Sequence, residues 1–163
     1  MKRKGIVALG LAAVLAAGVA LFRMQAPAQA PALTLYALDG RAVHLAELRG
    51  KPLLITFWAT TCPACVKEIP HLSALYQELK PRGLEIIGIA MAYDPPHYVL
   101  RMTRQHRIPY PIVLDPLGEA AKAFGDVQLT PSSFLVSPQG RIIQRRLGAW
   151  DMEALRETLL TLL

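Results

Sequence analysis

An α/β sandwich, with a mixed sheet flanked by helices and an N-terminal hairpin, is the fold class this sequence predicts. Three observations carry the expectation. Leu53 to Trp58 and Leu84 to Ala90 are short, nearly continuous apolar runs of the kind that form strands buried on both faces. Between them Val66, Ile69, Leu72, Leu75, Tyr76 and Leu79 recur at helical spacing, so strand, helix and strand make a βαβ unit with parallel pairing. Further on, Phe134 to Val136, a turn at Ser137 to Gly140, and Arg141 to Ile143 read as a hairpin.

The elements follow in order. Lys2, Arg3 and Lys4 precede an uncharged run from Gly5 to Phe22, closed by Arg23 and an Ala/Pro/Gln stretch. Eighteen such residues span about 27 Å as a helix against a hydrocarbon core of about 30 Å. Residues 1–30 are therefore expected to be a membrane anchor, or a signal peptide cut near Ala28 or Ala30, plus a linker. The basic residues ahead of the run outnumber Arg23 behind it, which holds the N-terminus in the cytoplasm and exports the rest. The bacterial inner membrane, with the domain on its periplasmic or extracytoplasmic side, is the expected place, and a soluble periplasmic protein is the outcome of cleavage.

Residues 31–163 form one domain. Leu33 to Leu38, the Asp39-Gly40 turn and Arg41 to Leu45 give the N-terminal hairpin. Gly50-Lys51-Pro52 breaks the chain before the first buried strand, and Pro81 with Gly83 stops the helix after the cysteines. Pro70 inside that helix should kink it. Asp94-Pro95-Pro96 initiates a helix to about His106, Tyr110 to Leu114 is a short strand, and a helix occupies Glu119 to Phe124. Asp151 is an N-cap candidate for a C-terminal helix with Met152, Leu155, Leu159 and Leu162 on one stripe.

The formal charge of +6 is no sign of a nucleic-acid partner. Four of the 18 basic residues belong to the leader, which leaves 14 basic against 12 acidic in residues 31–163. Arg101, Arg104 and Arg107 read as a solvated surface rather than a basic face for a partner. Met91, Met102 and Met152 show no ligand spacing and read as core or helix-face residues.

Chemistry concentrates at Cys62-Pro63-Ala64-Cys65, which holds the only two cysteines and lies between the first buried strand and its helix. Residues three apart on one turn have Cβ atoms roughly 5–6 Å from each other, close to disulfide distance, so the bond can open and shut with little backbone movement. Tetrahedral zinc wants four ligands, and His44, His71, His97 and His106 are scattered, so no metal site is expected. A purely structural disulfide across so short a loop would contribute little stability. Thiol-disulfide exchange is the leading reading. Thiolates also suit Cu(I), which leaves a copper-binding assembly module as an alternative.

The segment Phe57 to Cys65 at a strand-to-helix junction, with Thr130-Pro131 ahead of a later strand, resembles thioredoxin. The leader, the continuation Val66-Lys67-Glu68-Ile69-Pro70, and the insert from Tyr93 through about Asp115 are similar to the membrane-anchored, TlpA/ResA-like branch of that superfamily. The resemblance covers about residues 33–163. It implies a thioredoxin-like sandwich, a cis bond before Pro131, and an extracytoplasmic reductase whose Cys62-Cys65 pair needs no further cofactor. By the same resemblance Thr130 and Pro131 pack opposite the sulfurs, with the Thr130 backbone pairing with an incoming substrate strand. Trp58, Pro63 and Ala64 complete the substrate-positioning set.

Two positions depart from the pattern: Thr61 stands where tryptophan is usual, and Thr56 replaces the buried aspartate of thioredoxin. Glu68, one turn past Cys65, matches the acid of the ResA-like branch and is the candidate proton acceptor. Cys62, at the positive end of the helix dipole, is the candidate nucleophile and Cys65 the resolving sulfur. Expected partners are exported proteins with cysteine pairs, such as apocytochrome c or copper-site proteins, a membrane electron donor of the CcdA or DsbD kind, and the inner membrane through residues 5–22. A thiol peroxidase on the same fold is a further alternative, weakened because position 59 is Ala where a TxxC arrangement has Thr.

Overall fold

The computed structural model describes residues 28–163, so the leader expected at Gly5 to Phe22 lies outside the described residues. Strands β1 (Thr34–Tyr36) and β2 (Ala42–His44) pair antiparallel with Thr34 opposite His44. Gly40, at φ +85°, supplies the left-handed residue their turn requires. Ala37 bridges to Val113, which ties the hairpin to the main sheet.

That sheet has five strands in the order β5-β4-β3-β6-β7. β3 (Leu53–Trp58) lies at its centre, parallel to β4 (Glu85–Ala90) and antiparallel to β6 (Ser132–Val136). β5 (Ile112–Leu114) extends the parallel side and β7 (Ile142–Leu147) the antiparallel side. Helices α1 (Pro63–Leu79), α2 (Pro96–Gln105), α3 (Glu119–Ala123) and α4 (Met152–Leu162) complete the sandwich. The α/β fold class, the mixed sheet, the hairpin and the central insert thus stand as the sequence implied.

Two boundaries differ for physical reasons. β5 begins at Ile112 rather than Tyr110, because Pro111 has no N–H to donate and only its carbonyl joins the ladder, accepting from Gly88 N. β7 runs four residues past Ile143, through Gln144, Arg145 and Arg146 to Leu147. It is an edge strand with exposed side chains, so no apolar pattern marks it, and its arginines guard the open edge. α1 runs as one helix through Pro70, whose exposed ring lacks the N–H otherwise directed at the Val66 carbonyl.

β3 is buried along its whole length and divides the interior by simple alternation. Leu54 and Trp58 face a core with Cys65, Ile69 and Leu72 of α1, Val99 of α2, and Leu155 and Leu159 of α4. Leu53, Ile55 and Phe57 face a second core with Val113, Phe134 and the α3 residues Ala120 and Ala121. The odd-even split puts Thr56 on the α1 side, within reach of the helix that carries the cysteines. Gly88 makes room for this arrangement: a Cβ there would lie 2.6 Å from Ile112 Cδ1 and 3.3 Å from Trp58 Nε1. Gly88→Ala should therefore overpack the α1-side core and lower the unfolding free energy by about 1–3 kcal/mol, read from a urea midpoint at unchanged m-value.

Candidate active site

The centre lies where the C-terminal end of β3 feeds the N-terminus of α1. Cys62 is the N-cap, in extended conformation at φ −95° and ψ 105°, and Pro63 occupies the first helical turn. The pair is oxidised, with Cα atoms 5.3 Å apart. Cys62 Sγ accepts a hydrogen bond from Cys65 N at 3.1 Å, so a side chain that usually caps through oxygen is here replaced by sulfur. Cys65 is only 3% exposed whereas Cys62 is half-buried, with Pro63 and Ala64 exposed beside it. A sulfur in the Cys62 position, once reduced, has free helix-end N–H groups and the positive end of a 17-residue helix to stabilise its anion.

Beneath the disulfide, Thr56, Trp58, Cys65, Glu68, Ile69, Leu72 and Tyr110 line one small cavity of about 10 Å³. Glu68 is 5% exposed and accepts a hydrogen bond from Trp150 N at 2.7 Å through Oε1. Burial pushes its carboxyl above the ordinary range, against the lowering pull of the Trp150 N–H and of the charges on His71 and Arg146. Burial, joined by the charge of Glu68, also pushes the Tyr110 phenol well up. Thr56, in place of an acid, accepts from the Ser133 hydroxyl at 3.1 Å and brings no charge into the cavity.

The Thr130-Pro131 peptide is cis, as the resemblance implies, and it leads into β6, where Ser132 pairs with Phe57 next to Trp58. Pro131 is buried and Thr130 half-buried at the end of the sheet that carries the cysteines. Among the described residues no backbone hydrogen bond engages Thr130. Its hydroxyl lies 3.4 Å from the Tyr93 hydroxyl. Trp58 is core at 4% exposure, and its indole N–H finds no acceptor among the described residues. No group of three or more His, Cys, Asp or Glu side chains converges among the described residues.

Asp94, Tyr93, Tyr110 and Trp150 are the residues at this centre that sequence reasoning did not single out. Asp94-Pro95-Pro96 reads as a helix start, yet the N-cap of α2 is Pro95 and the Asp94 carboxylate turns the other way. It accepts from Thr60 N and from the Thr60 hydroxyl, both at 2.6 Å, which pins the loop before Cys62 to the turn after β4. Asp94 is only 4% exposed, so Asp94→Ala removes two charge-assisted bonds from a buried site and leaves Thr60 N–H without its partner. The expected loss is about 2–4 kcal/mol of unfolding free energy, measured by denaturant titration of the oxidised protein.

Comparison with known proteins matches this geometry. A family model described as Redoxin matches residues 25–160. The thiol-disulfide oxidoreductase ResA of Bacillus thuringiensis subsp. konkukian is 33% identical over 137 residues, covering 84% of this chain and 78% of that protein. ResA of Bacillus subtilis strain 168 is 30% identical over 115 residues, covering 71% and 63%. Among solved structures, a thioredoxin-family thiol:disulfide interchange protein from Chlorobium tepidum TLS superposes with a TM-score of 0.77 at 25% identity, over 84% of this chain and 97% of that one. The thioredoxin domain of a thiol-disulfide oxidoreductase from Bacteroides vulgatus does so with 0.70 at 27%, over 82% and 96%. A bonded cysteine pair at a helix N-terminus, on this sheet and with these relatives, leaves one assignment: the chain belongs to the redoxin family, as a thiol-disulfide oxidoreductase similar to ResA.

Proposed function

We propose that this oxidoreductase is an extracytoplasmic disulfide reductase, in which Cys62 attacks and Cys65 resolves. The observation that carries the reading is the asymmetry of the pair: the sulfur of Cys62 is partly open and held at the helix cap, while Cys65 is closed in above the cavity of Glu68. The Cys62 thiolate attacks one sulfur of a substrate disulfide, forms a mixed disulfide and releases the first substrate thiolate. The Cys65 proton passes to Glu68, the Cys65 thiolate attacks Cys62, and the second substrate thiolate leaves and takes up a proton. Two electrons have then moved to the substrate and the Cys62–Cys65 bond is restored, with no cofactor beyond the pair itself. A membrane dithiol donor of the CcdA or DsbD kind returns the electrons.

Substrates in this reading are exported proteins whose cysteine pairs must be reduced before a haem or copper site is built, such as apocytochrome c. Support for the compartment comes from the apolar run at residues 5–22 and its basic flank. Substrate placement rests on Thr130, Pro131, Trp58, Pro63 and Ala64, with the unengaged Thr130 backbone offered to an extended segment. The midpoint potential tests the direction of electron flow. Equilibration against glutathione and dithiothreitol should give a value toward −270 mV, and one near −120 mV would make the protein an oxidase.

A further inference from the structure

Beside the active-site turn the surface opens into a cleft of about 260 Å³ lined by Thr60, Thr61, Tyr98, Arg101, Met102 and Gln105. One wall is the pair of residues directly before Cys62. The other is a single face of α2, since 98, 101, 102 and 105 follow the i, i+3, i+4, i+7 rule. Arg101 is the only charged group in it. Its guanidinium carbon lies over the Tyr98 ring, 4.9 Å from the centroid, and no carboxylate pairs with it among the described residues. Asp94, which is bonded to Thr60 of this wall, turns both carboxylate oxygens to that residue and does not line the cleft. Of the three arginines of this region Arg101 alone lines the cleft: Arg104 is outside it, and Arg107 lies past the end of α2 at φ 48°.

We infer that Arg101 is a specificity-determining residue, which selects substrate segments carrying an acidic side chain beside the cysteine that Cys62 attacks. A cation held over an aromatic ring is preorganised for a carboxylate, because that contact restrains the side chain without satisfying its N–H donors. The cleft begins at Thr61, so a substrate whose sulfur reaches Cys62 lays its neighbouring residue along this wall. The charge is solvent-facing, so its effect is on encounter and orientation and is screened by salt. The inference rests on Cys62 as the attacking sulfur and adds the chemistry of what that sulfur meets.

The test uses the full chain in non-ionic detergent, reduced and desalted, against disulfide-linked homodimers of synthetic peptides that differ only in Asp, Asn or Lys beside the cysteine. One series places the variable residue before the cysteine and one after it. Stopped-flow rates are divided by the rate of each peptide with dithiothreitol, which cancels the peptide's own reactivity. In at least one series the Asp peptide should be reduced about three- to tenfold faster than the Lys peptide at low salt, converging at high salt. Arg101→Gln should flatten the series and Arg101→Glu invert it, while Arg104→Gln, on the same helix outside the cleft, should keep the preference. Equal normalised rates in both series, or a preference that survives Arg101→Glu, overturn the inference and leave the reductase standing. Failure to reduce any of the peptides that dithiothreitol reduces overturns the reductase reading and this inference with it.

Discussion

Cys62→Ser should abolish the reduction of insulin disulfides, and Cys65→Ser should convert the protein into a trap that accumulates mixed disulfides with its substrates. The asymmetry of the site sets this pattern. A serine hydroxyl at the helix cap can still accept the Cys65 N–H, so the fold should persist, but it cannot bond to a substrate sulfur and the first step is lost. With serine at the buried position the first step proceeds and the second has no nucleophile. Non-reducing electrophoresis of cell envelopes, followed by mass spectrometry of the adducts, reads the trap directly. The reverse pattern, adducts on Cys62→Ser and none on Cys65→Ser, would reject the assignment of roles.

The rate of the first step depends on how far the helix end lowers the Cys62 pKa. A thiol near 8.5 is a few per cent ionised at neutral pH, whereas one near 7 is about half ionised and remains a good nucleophile, a gain of roughly tenfold. Iodoacetamide alkylation of the reduced protein against pH measures this apart from any substrate. A profile like that of cysteine in an unstructured peptide would remove the helix end from the mechanism, although α1 begins at that residue.

How much of this could be read from the sequence follows from the range of the interactions involved. β3, α1 and β4 were legible because each announces itself within one window, by an apolar run or a 3.6-residue period. Cys62, Cys65 and Pro131 stood out by spacing and by a familiar junction. The site's acids were less legible, because their roles depend on partners far along the chain. Glu68 meets the backbone of Trp150, 82 residues away, and Asp94 meets Thr60 across 34. No local pattern encodes either contact. Asp94 was actively disguised, since aspartate before two prolines is an ordinary way to begin a helix. Arg101 was similarly hidden among its neighbours: three arginines at intervals of three suggest a shared surface, and only the folded chain separates the one that lines a cleft from the two that do not.

Glu68→Gln should slow the resolving step by about a hundredfold at neutral pH and change the pH dependence of both turnover and stability. The rate effect sits at the low end for general base catalysis because the Cys65 thiol can also lose its proton unaided. The stability effect has a definite sign. Burial raises the folded-state pKa above the ordinary value of 4.5, so the folded protein holds this proton more tightly than the unfolded chain does. The contribution is therefore full below about pH 4.5 and is lost as pH climbs through the raised value, where a charged carboxylate must be kept in the cavity with Trp58, Cys65 and Tyr110. His71 on α1 and Arg146 on β7 offset part of that loss, and the Trp150 N–H accounts for more.

Glutamine keeps an acceptor for Trp150 N but cannot ionise, so the variant should lose the downward slope of stability that the parent shows as pH rises above 4.5 and through the raised value. Any penalty from the new amide N–H₂ is the same at every pH and shifts the curve without tilting it. Denaturant midpoints of the oxidised proteins, in which the cysteines do not titrate, isolate the glutamate on this point. Parallel curves for parent and variant would mean that Glu68 is already ionised throughout, with the pull of Trp150 N, His71 and Arg146 outweighing burial. A carboxylate of ordinary basicity would then be a poor acceptor for a thiol proton, and the resolving step would have to draw on water reaching Cys65 instead.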